Sequence, residues 1–203
     1  MDIVCLDLEG VLAPEMWILV AEATATEELR LTTRDISDYD ELMRYRIRIL
    51  AERGISLADI QRVVAHVEPL DGASAFLTSL RRHTPVAILS DTFVQFVAPL
   101  MERLGQPLLL CNELVTDESG MIVDYQLRQQ DGKRRAVEAF RSLNLRVQAV
   151  GDSFNDISML RTADRGFLFR PSQTVIDAHP DLPRTTEHGE LLALILADQP
   201  TTV

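Results

Sequence analysis

Three short apolar runs, Ile3-Val4-Cys5-Leu6, Val86-Ala87-Ile88-Leu89 and Val147-Gln148-Ala149-Val150, each stop at a cluster of acids or hydroxyls. Each run is too short for a helix and carries β-branched residues, so each reads as a buried strand. Helical patterns lie between and after them, over residues 73–82, 93–104, 133–143, 157–163 and 187–197. Strands alternating with helices predict an α/β fold with a doubly wound parallel sheet, a Rossmann-like core. The carboxyl ends of such strands share one edge, which is where open α/β sheets bind ligands. The clusters Asp7/Glu9, Ser90/Asp91 and Asp152/Asp156 are therefore expected to converge. Residues 108–115 and 121–127 flank Thr116-Asp117-Glu118-Ser119-Gly120 and predict a β-hairpin, and residues 166–169 a short strand.

The alternation is interrupted once. From Pro14 to Pro69 the chain shows helical periodicity and no convincing strand. One helical region covers residues 15–31, with Trp17, Ile18, Val20 and Ala21 as apolar contacts. A second covers 39–52 and ends at Gly54; a third covers 57–67 after an N-cap at Ser56. This block lies between the first and second clusters, so it should stand over the sheet edge. The expected division is a catalytic core of residues 1–13 and 70–203 with a helical cap of residues 14–69.

The chain has 203 residues with a formal net charge of −11 and 46% hydrophobic residues. A core of useful size is available. The charge argues against non-specific nucleic-acid binding and against anionic membrane surfaces. It leaves room for an anionic substrate, because a local cation reverses the field at one site. Cys5 and Cys111 fall in apolar strand-like runs and are expected to be reduced core thiols. No basic-plus-apolar segment precedes the first strand and no apolar run is long enough to span a membrane, so a cytoplasmic protein is expected. His66, His83, His179 and His188 have no metal-ligand spacing. The tail Pro200-Thr201-Thr202-Val203 is expected to be disordered. A homodimer is left open.

Each cluster alone has an ordinary explanation in solvation or helix capping. Together they describe a site. Asp7 and Glu9 are two carboxylates two residues apart at a strand end. Gly151-Asp152-Ser153-Phe154-Asn155-Asp156 places two aspartates across a strand-to-helix turn. Asp7 and Asp152 offer the oxygen ligands that suit Mg²⁺. Ser90 and the N–H groups that follow it make a phosphate or oxyanion cradle. Lys133 opens a helix just before the third strand and supplies the cation such a site needs. An Asp nucleophile, a neighbouring acid, a hydroxyl, a Lys and an acidic metal pair imply phosphoryl transfer through an aspartyl-phosphate. Asp7 attacks phosphorus; Glu9 protonates the leaving oxygen and then deprotonates the acceptor.

The order Asp7-Leu8-Glu9, Ser90, Lys133, Gly151-Asp152 and Asn155-Asp156 resembles the haloacid-dehalogenase superfamily of phosphohydrolases over residues 1–170. The helical insertion resembles its phosphoserine phosphatase branch. The resemblance implies Asp7 as nucleophile and Glu9 as general acid/base. It implies metal ligation by Asp7, the main-chain carbonyl of Glu9 and Asp152, with Asp156 in support. Ser90 and Lys133 would hold the phosphate, and Asp91 and Asn155 fall among the substrate-binding positions. Glu15 and Arg46 occupy the places that bind an amino-acid head group: Arg forks onto a carboxylate and Glu pairs an ammonium. Arg44, Arg46 and Arg48 are spaced by two and cannot all face one ligand.

Four positions depart from the usual pattern: Glu9 for Asp, Val11 for a hydroxyl residue, Asp91-Thr92 for glycines and Ser153 for Gly. The same departures resemble a bifunctional bacterial branch that hydrolyses O-phospho-L-serine and also transfers its phosphoryl group to L-homoserine. That branch implies Mg²⁺ and small-molecule partners: phosphoserine, homoserine and water. The rival readings are a phosphatase for another small phosphomonoester, an aspartate-phosphorylated receiver module and a catalytically inert binding protein. The helical insertion and the Asp152/Asp156 turn argue against the receiver.

Overall fold

The computed structural model describes residues 1–32, 35–36 and 38–197; the tail at 200–203 lies outside them. The strands are β1 (Asp2–Leu6), β2 (Val86–Phe93), β3 (Leu108–Thr116), β4 (Ile122–Gln126), β5 (Arg146–Gly151), β6 (Arg165–Phe169) and β7 (Arg184–Thr185). The helices are α1 (Met16–Ala23), α2 (Tyr39–Arg53), α3 (Leu57–Val64), α4 (Ala73–Leu80), α5 (Val94–Arg103), α6 (Gly132–Ser142), α7 (Ile157–Thr162), α8 (Gln173–Ala178) and α9 (His188–Leu196). The seven strands form one sheet in the order β4-β3-β2-β1-β5-β6-β7. All neighbours are parallel except β3 and β4, the expected hairpin. The α/β class and the doubly wound parallel sheet are as the sequence predicts.

Because side chains alternate across a strand, β1 feeds two apolar layers. Val4 and Leu6 enter one, with helices α1–α5 and α9. Ile3 and Cys5 enter the other, against α6, α7 and α8. The first layer also contains Met16, Trp17, Val20, Met43, Leu50, Ile60 and Val64 from the block between β1 and β2. That block therefore shares one continuous apolar cluster with the sheet.

The helix ends follow from local chemistry. Asp38 caps α2 by accepting from Glu41 N–H, and Gly54 closes it in the left-handed conformation at φ 65°. Ser56 and Asp59 form a capping box at α3. Pro99 stands inside α5 and has no N–H for the carbonyl of Gln95. Gln61 of α3 donates to that carbonyl at 3.3 Å, so a break in one helix becomes a bond to another.

Several expectations are corrected. The helical region at 15–31 is two pieces, α1 and a 3₁₀ turn at Glu27–Arg30, split where Thr24 Oγ1 bonds back to Val20 and Ala25 adopts φ 51°. Helix α3 stops at Val64, short of residue 67. Strand β2 runs on through Ser90 to Phe93, so Ser90 is a strand residue and not a helix cap. Cys111 is half-buried, and only Cys5 is a core thiol, its pKa pushed up to about 12 by burial. Helix α8 and the two-residue β7 have no counterpart in the sequence reading. Ser172 after Pro171 is the N-cap signal that marks α8. No helix among the described residues is long and apolar enough to cross a membrane.

Candidate active site

The sheet order puts β1 between β2 and β5, so three strand ends meet. Asp7 follows β1, with its N–H donating to Val150 O of β5 at 2.9 Å. Its carboxylate accepts from Leu8 N–H at 2.7 Å and from Lys133 Nζ at 3.0 Å. Lys133, in the first turn of α6, also reaches Asp156 at 2.7 Å and Asp91 at 3.5 Å. Burial works to lower the lysine's pKa, but Asp156, Asp7 and Asp91 outweigh it and hold the ammonium charged.

Asp156 is fully buried and both its oxygens are engaged. Oδ1 takes the Lys133 ammonium, and Oδ2 accepts from the N–H groups of Asp152 and Ser153 at 3.0 and 3.2 Å. It thus shapes the turn that presents Asp152. Two glycines make room. A Cβ on Gly151 would sit 2.4 Å from the Asp156 side chain, and one on Gly10, at φ 79°, 2.5 Å from Asp152 Cγ.

Asp7, Asp152 and Asp156 each offer an oxygen within 4.8 Å of the others. Asp7 is held well above the usual carboxylate range by burial and then by Asp156. Asp152 is pushed up to about 7 by burial and then by Asp156. An all-oxygen donor set whose buried carboxylates repel one another fits a hard divalent cation, which would relieve both penalties.

Glu9 lines the same cavity. Its Oε2 accepts from Met16 N–H at 3.2 Å at the start of α1. Burial, then the charge of the adjacent Glu15 and the hydrogen bond the two carboxyls share, pushes Glu9 up to about 8; Met16 N–H and the Thr92 hydroxyl pull the other way. Arg46 is buried on α2, with its guanidinium 4.5 Å from the centre of the Trp17 ring and one N–H donated to Leu31 O at 2.7 Å. Its Nε has no partner. Burial lowers its pKa to about 10, which leaves it charged. Arg44 and Arg48 pair with Asp40 and Glu52 on the exposed faces, as their spacing requires.

A cavity of about 560 Å³ is lined by Asp7, Glu9, Glu15, Arg46, Ser90, Asp91, Lys133, Asp152 and Asn155, with Asp156 behind them. The sheet edge and α1 and α2 thus bring together every residue the sequence singled out. The cavity is also lined by Tyr39, Thr92, Phe154, Gln129 and Gln130, which sequence reasoning did not select. Thr92 had a signal: two residues beyond Ser90 on an extended strand it shares that residue's face, and its N–H donates to Ser90 Oγ at 3.2 Å. Tyr39 had none, because its partner lies 52 residues away.

A parallel sheet carrying this acidic and lysine-bearing edge defines a class, and the chain belongs to it. It is a member of the haloacid dehalogenase-like hydrolase family, whose family model matches residues 12–161. Within that family it is 54% identical over 190 residues to the phosphoserine phosphatase of Pseudomonas syringae pv. tomato, covering 94% of this chain and 80% of the relative. It is 52% identical over 191 residues to phosphoserine phosphatase ThrH of Pseudomonas aeruginosa, covering 94% of this chain and 93% of the relative. Its fold matches a phosphoserine phosphatase in apo form with a TM-score of 0.78 at 20% identity, over 96% of this chain and 98% of the other. A phospho-aspartyl intermediate analogue of a phosphoserine phosphatase matches at 0.78 and 19% identity, over 95% and 98%.

Proposed function

We propose that the protein hydrolyses O-phospho-L-serine through an aspartyl-phosphate on Asp7 and also passes the phosphoryl group to L-homoserine. One observation carries this reading: the Asp7 carboxylate stands 3.0 Å from Lys133 and within 4.8 Å of Asp152, in a cavity that Glu9, Glu15 and Arg46 also line. The two Pseudomonas relatives, both named phosphoserine phosphatase, support the substrate.

In this reading residues 14–69 form a cap that covers the substrate. Arg46, with its buried Nε unpartnered, takes the carboxylate, and Glu15 takes the ammonium. Ser90 and Lys133 hold the phosphate, and Asp91 and Asn155, bonded to each other at 3.0 Å, set the rim beside them. Mg²⁺ would be held by Asp7, Asp152 and the main-chain carbonyl of Glu9, with Asp156 in support, and supplies neutralisation of the charge that gathers between carboxylate and phosphate. An Asp7 oxygen attacks phosphorus as the bond to the serine oxygen breaks, and Glu9 gives that oxygen its proton. Glu9, now ionised, takes a proton from water or from the homoserine hydroxyl. That oxygen attacks phosphorus and Asp7 leaves as the free carboxylate. A group pushed up to about 8 can serve both halves near neutral pH. Homoserine exceeds serine by one methylene, which a pocket resists by only about 1–3 kcal/mol.

The test is incubation with O-phospho-L-serine and Mg²⁺, with and without L-homoserine, scoring free phosphate and O-phosphohomoserine together. Both products are expected, and both are lost in Asp7→Asn. Free phosphate alone would reduce the reading to a plain phosphatase; neither product would point to another phosphomonoester. Glu9→Asp is expected to shift the product ratio toward hydrolysis, and an unchanged ratio would count against a role for Glu9 in acceptor choice.

A further inference from the structure

The first turn of α2 is tied to the sheet by two phenols. Tyr39 donates its O–H to the main-chain carbonyl of Asp91 at 2.9 Å. Tyr125 of β4 donates to Asp40 Oδ1 at 2.7 Å, and the two rings meet edge to face with centroids 5.8 Å apart. The two bonds differ in what they touch. Asp40 is a solvent-facing side chain with no part in the cavity. Asp91 is a junction. Its carboxylate receives Asn155 Nδ2 at 3.0 Å and Lys133 Nζ at 3.5 Å, and its carbonyl also receives Asn112 Nδ2 at 3.1 Å. Asn112 is itself buried, and its Oδ1 accepts from Arg128 N–H at 3.1 Å on the way into α6. The peptide that Tyr39 grips therefore belongs to the residue whose carboxylate holds Asn155 and stands third, after Asp156 and Asp7, around Lys133.

We propose that Tyr39 is a positioning residue that couples docking of α2 over the cavity to the placement of Lys133 and Asn155. While the bond holds, α2 keeps Arg46 and Leu42 lining the cavity, and the Asp91 carboxylate stays 3.5 Å from a lysine that Asp156 and Asp7 hold at 2.7 and 3.0 Å. When it breaks, the cavity opens to water at the same time as the cationic side of the site loosens. The proposal rests on the aspartyl-phosphate reading above. Its consequence concerns the fate of that intermediate: a tightly docked α2 favours an acceptor bound under it, and a loosened one favours water.

Trp17, the one tryptophan of the chain, lines the same cavity and is buried against Arg46 and Phe96, which makes its fluorescence a reporter of docking. The experiment compares wild type, Tyr39→Phe and Tyr125→Phe with Mg²⁺ and beryllium fluoride as the aspartyl-phosphate mimic. It reads acrylamide quenching of Trp17, and in parallel the ratio of O-phosphohomoserine to free phosphate and the kcat and KM for phosphoserine. Asn112 still holds the Asp91 carbonyl in Tyr39→Phe, so the loss is that of one neutral hydrogen bond. We expect the product ratio to fall by about fivefold, with KM raised and the beryllium fluoride protection of Trp17 lost. Tyr125→Phe is expected to stay within about twofold of wild type on every readout. Unchanged quenching and ratio in Tyr39→Phe would overturn the proposal, as would equal effects in the two variants, since docking alone would then explain both. Absence of beryllium fluoride protection in wild type would show that docking of α2 does not respond to the group on Asp7 and would overturn the proposal, while the aspartyl-phosphate itself stands or falls on the Asp7→Asn product assay. If the wild type is protected but forms no O-phosphohomoserine, transfer alone fails, and quenching with the KM change still decides the role of Tyr39.

Discussion

Gly10 is the residue where backbone conformation and chemistry meet. Its φ of 79° and the 2.5 Å approach of Asp152 both exclude a Cβ. Gly10→Ala is expected to lower Tm by about 3–6 °C through left-handed strain. Activity should fall more than about tenfold because Asp152 is displaced; thermal unfolding alongside phosphatase assay checks both. Glu9 and Asp152 carry a second prediction. Their carboxyls are raised from 4.5 to about 8 and from 3.8 to about 7. Between those limits these two groups bind more protons in the metal-free fold than in the unfolded chain, so their contribution to stability is full below the unfolded values and is lost as pH rises through the folded ones. Tm of chelator-treated protein should therefore fall between about pH 5.5 and about pH 8.5, and Mg²⁺ should reverse the fall. A Tm that stays flat or rises over that interval would show that the fold does not raise these carboxyls. At this scale Asp7, Glu9 and Asp152 could be picked out because strand ends mark them, and Lys133 because it opens the helix before β5. Tyr39 could not, because a hydrogen bond over 52 residues leaves no local pattern.

Elements were legible where their ends are written in adjacent residues. Asp38, Gly54 and Ser56 cap α2 and α3 as side-chain chemistry requires. Ser56→Ala removes the acceptor for Asp59 N–H and should cost about 1 kcal/mol, or about 2–4 °C in Tm, with phosphatase activity unchanged; calorimetry and assay test it together. Where an end depends on packing, local reading failed. Ser90 looked like a cap because a polar cluster follows an apolar run. Strand β2 instead continues past it, and Phe93 pairs with Asn112 of β3 after a register shift. The break after α1 depends on Thr24 turning its hydroxyl back on Val20 and on Ala25 at φ 51°, neither of which composition announces. The loss at Pro99 is made good by Gln61 from a different helix, which no periodicity in α5 reveals.

Over the whole molecule, one apolar cluster joins the sheet to the helices between β1 and β2, through contacts such as Trp17 on Phe96 at 5.2 Å. A shared core predicts one cooperative transition. Unfolding followed by Trp17 fluorescence and by far-ultraviolet circular dichroism should coincide in urea, and separate midpoints would show that the helical block melts alone. The class of fold follows from the order of residues alone, because apolar runs of strand length alternating with helical periods have few other ways to bury themselves. The same pattern brings the acids and the hydroxyl at the strand ends to one cavity, because a parallel sheet gathers strand ends on one edge. How those groups are held is written nowhere in the local pattern. The engagement of both Asp156 oxygens, the burial that raises the Glu9 carboxyl, the cavity under α2 and the Tyr39–Asp91 bond all depend on contacts that local sequence does not write. Such contacts are set by packing, and packing is a property of the folded whole.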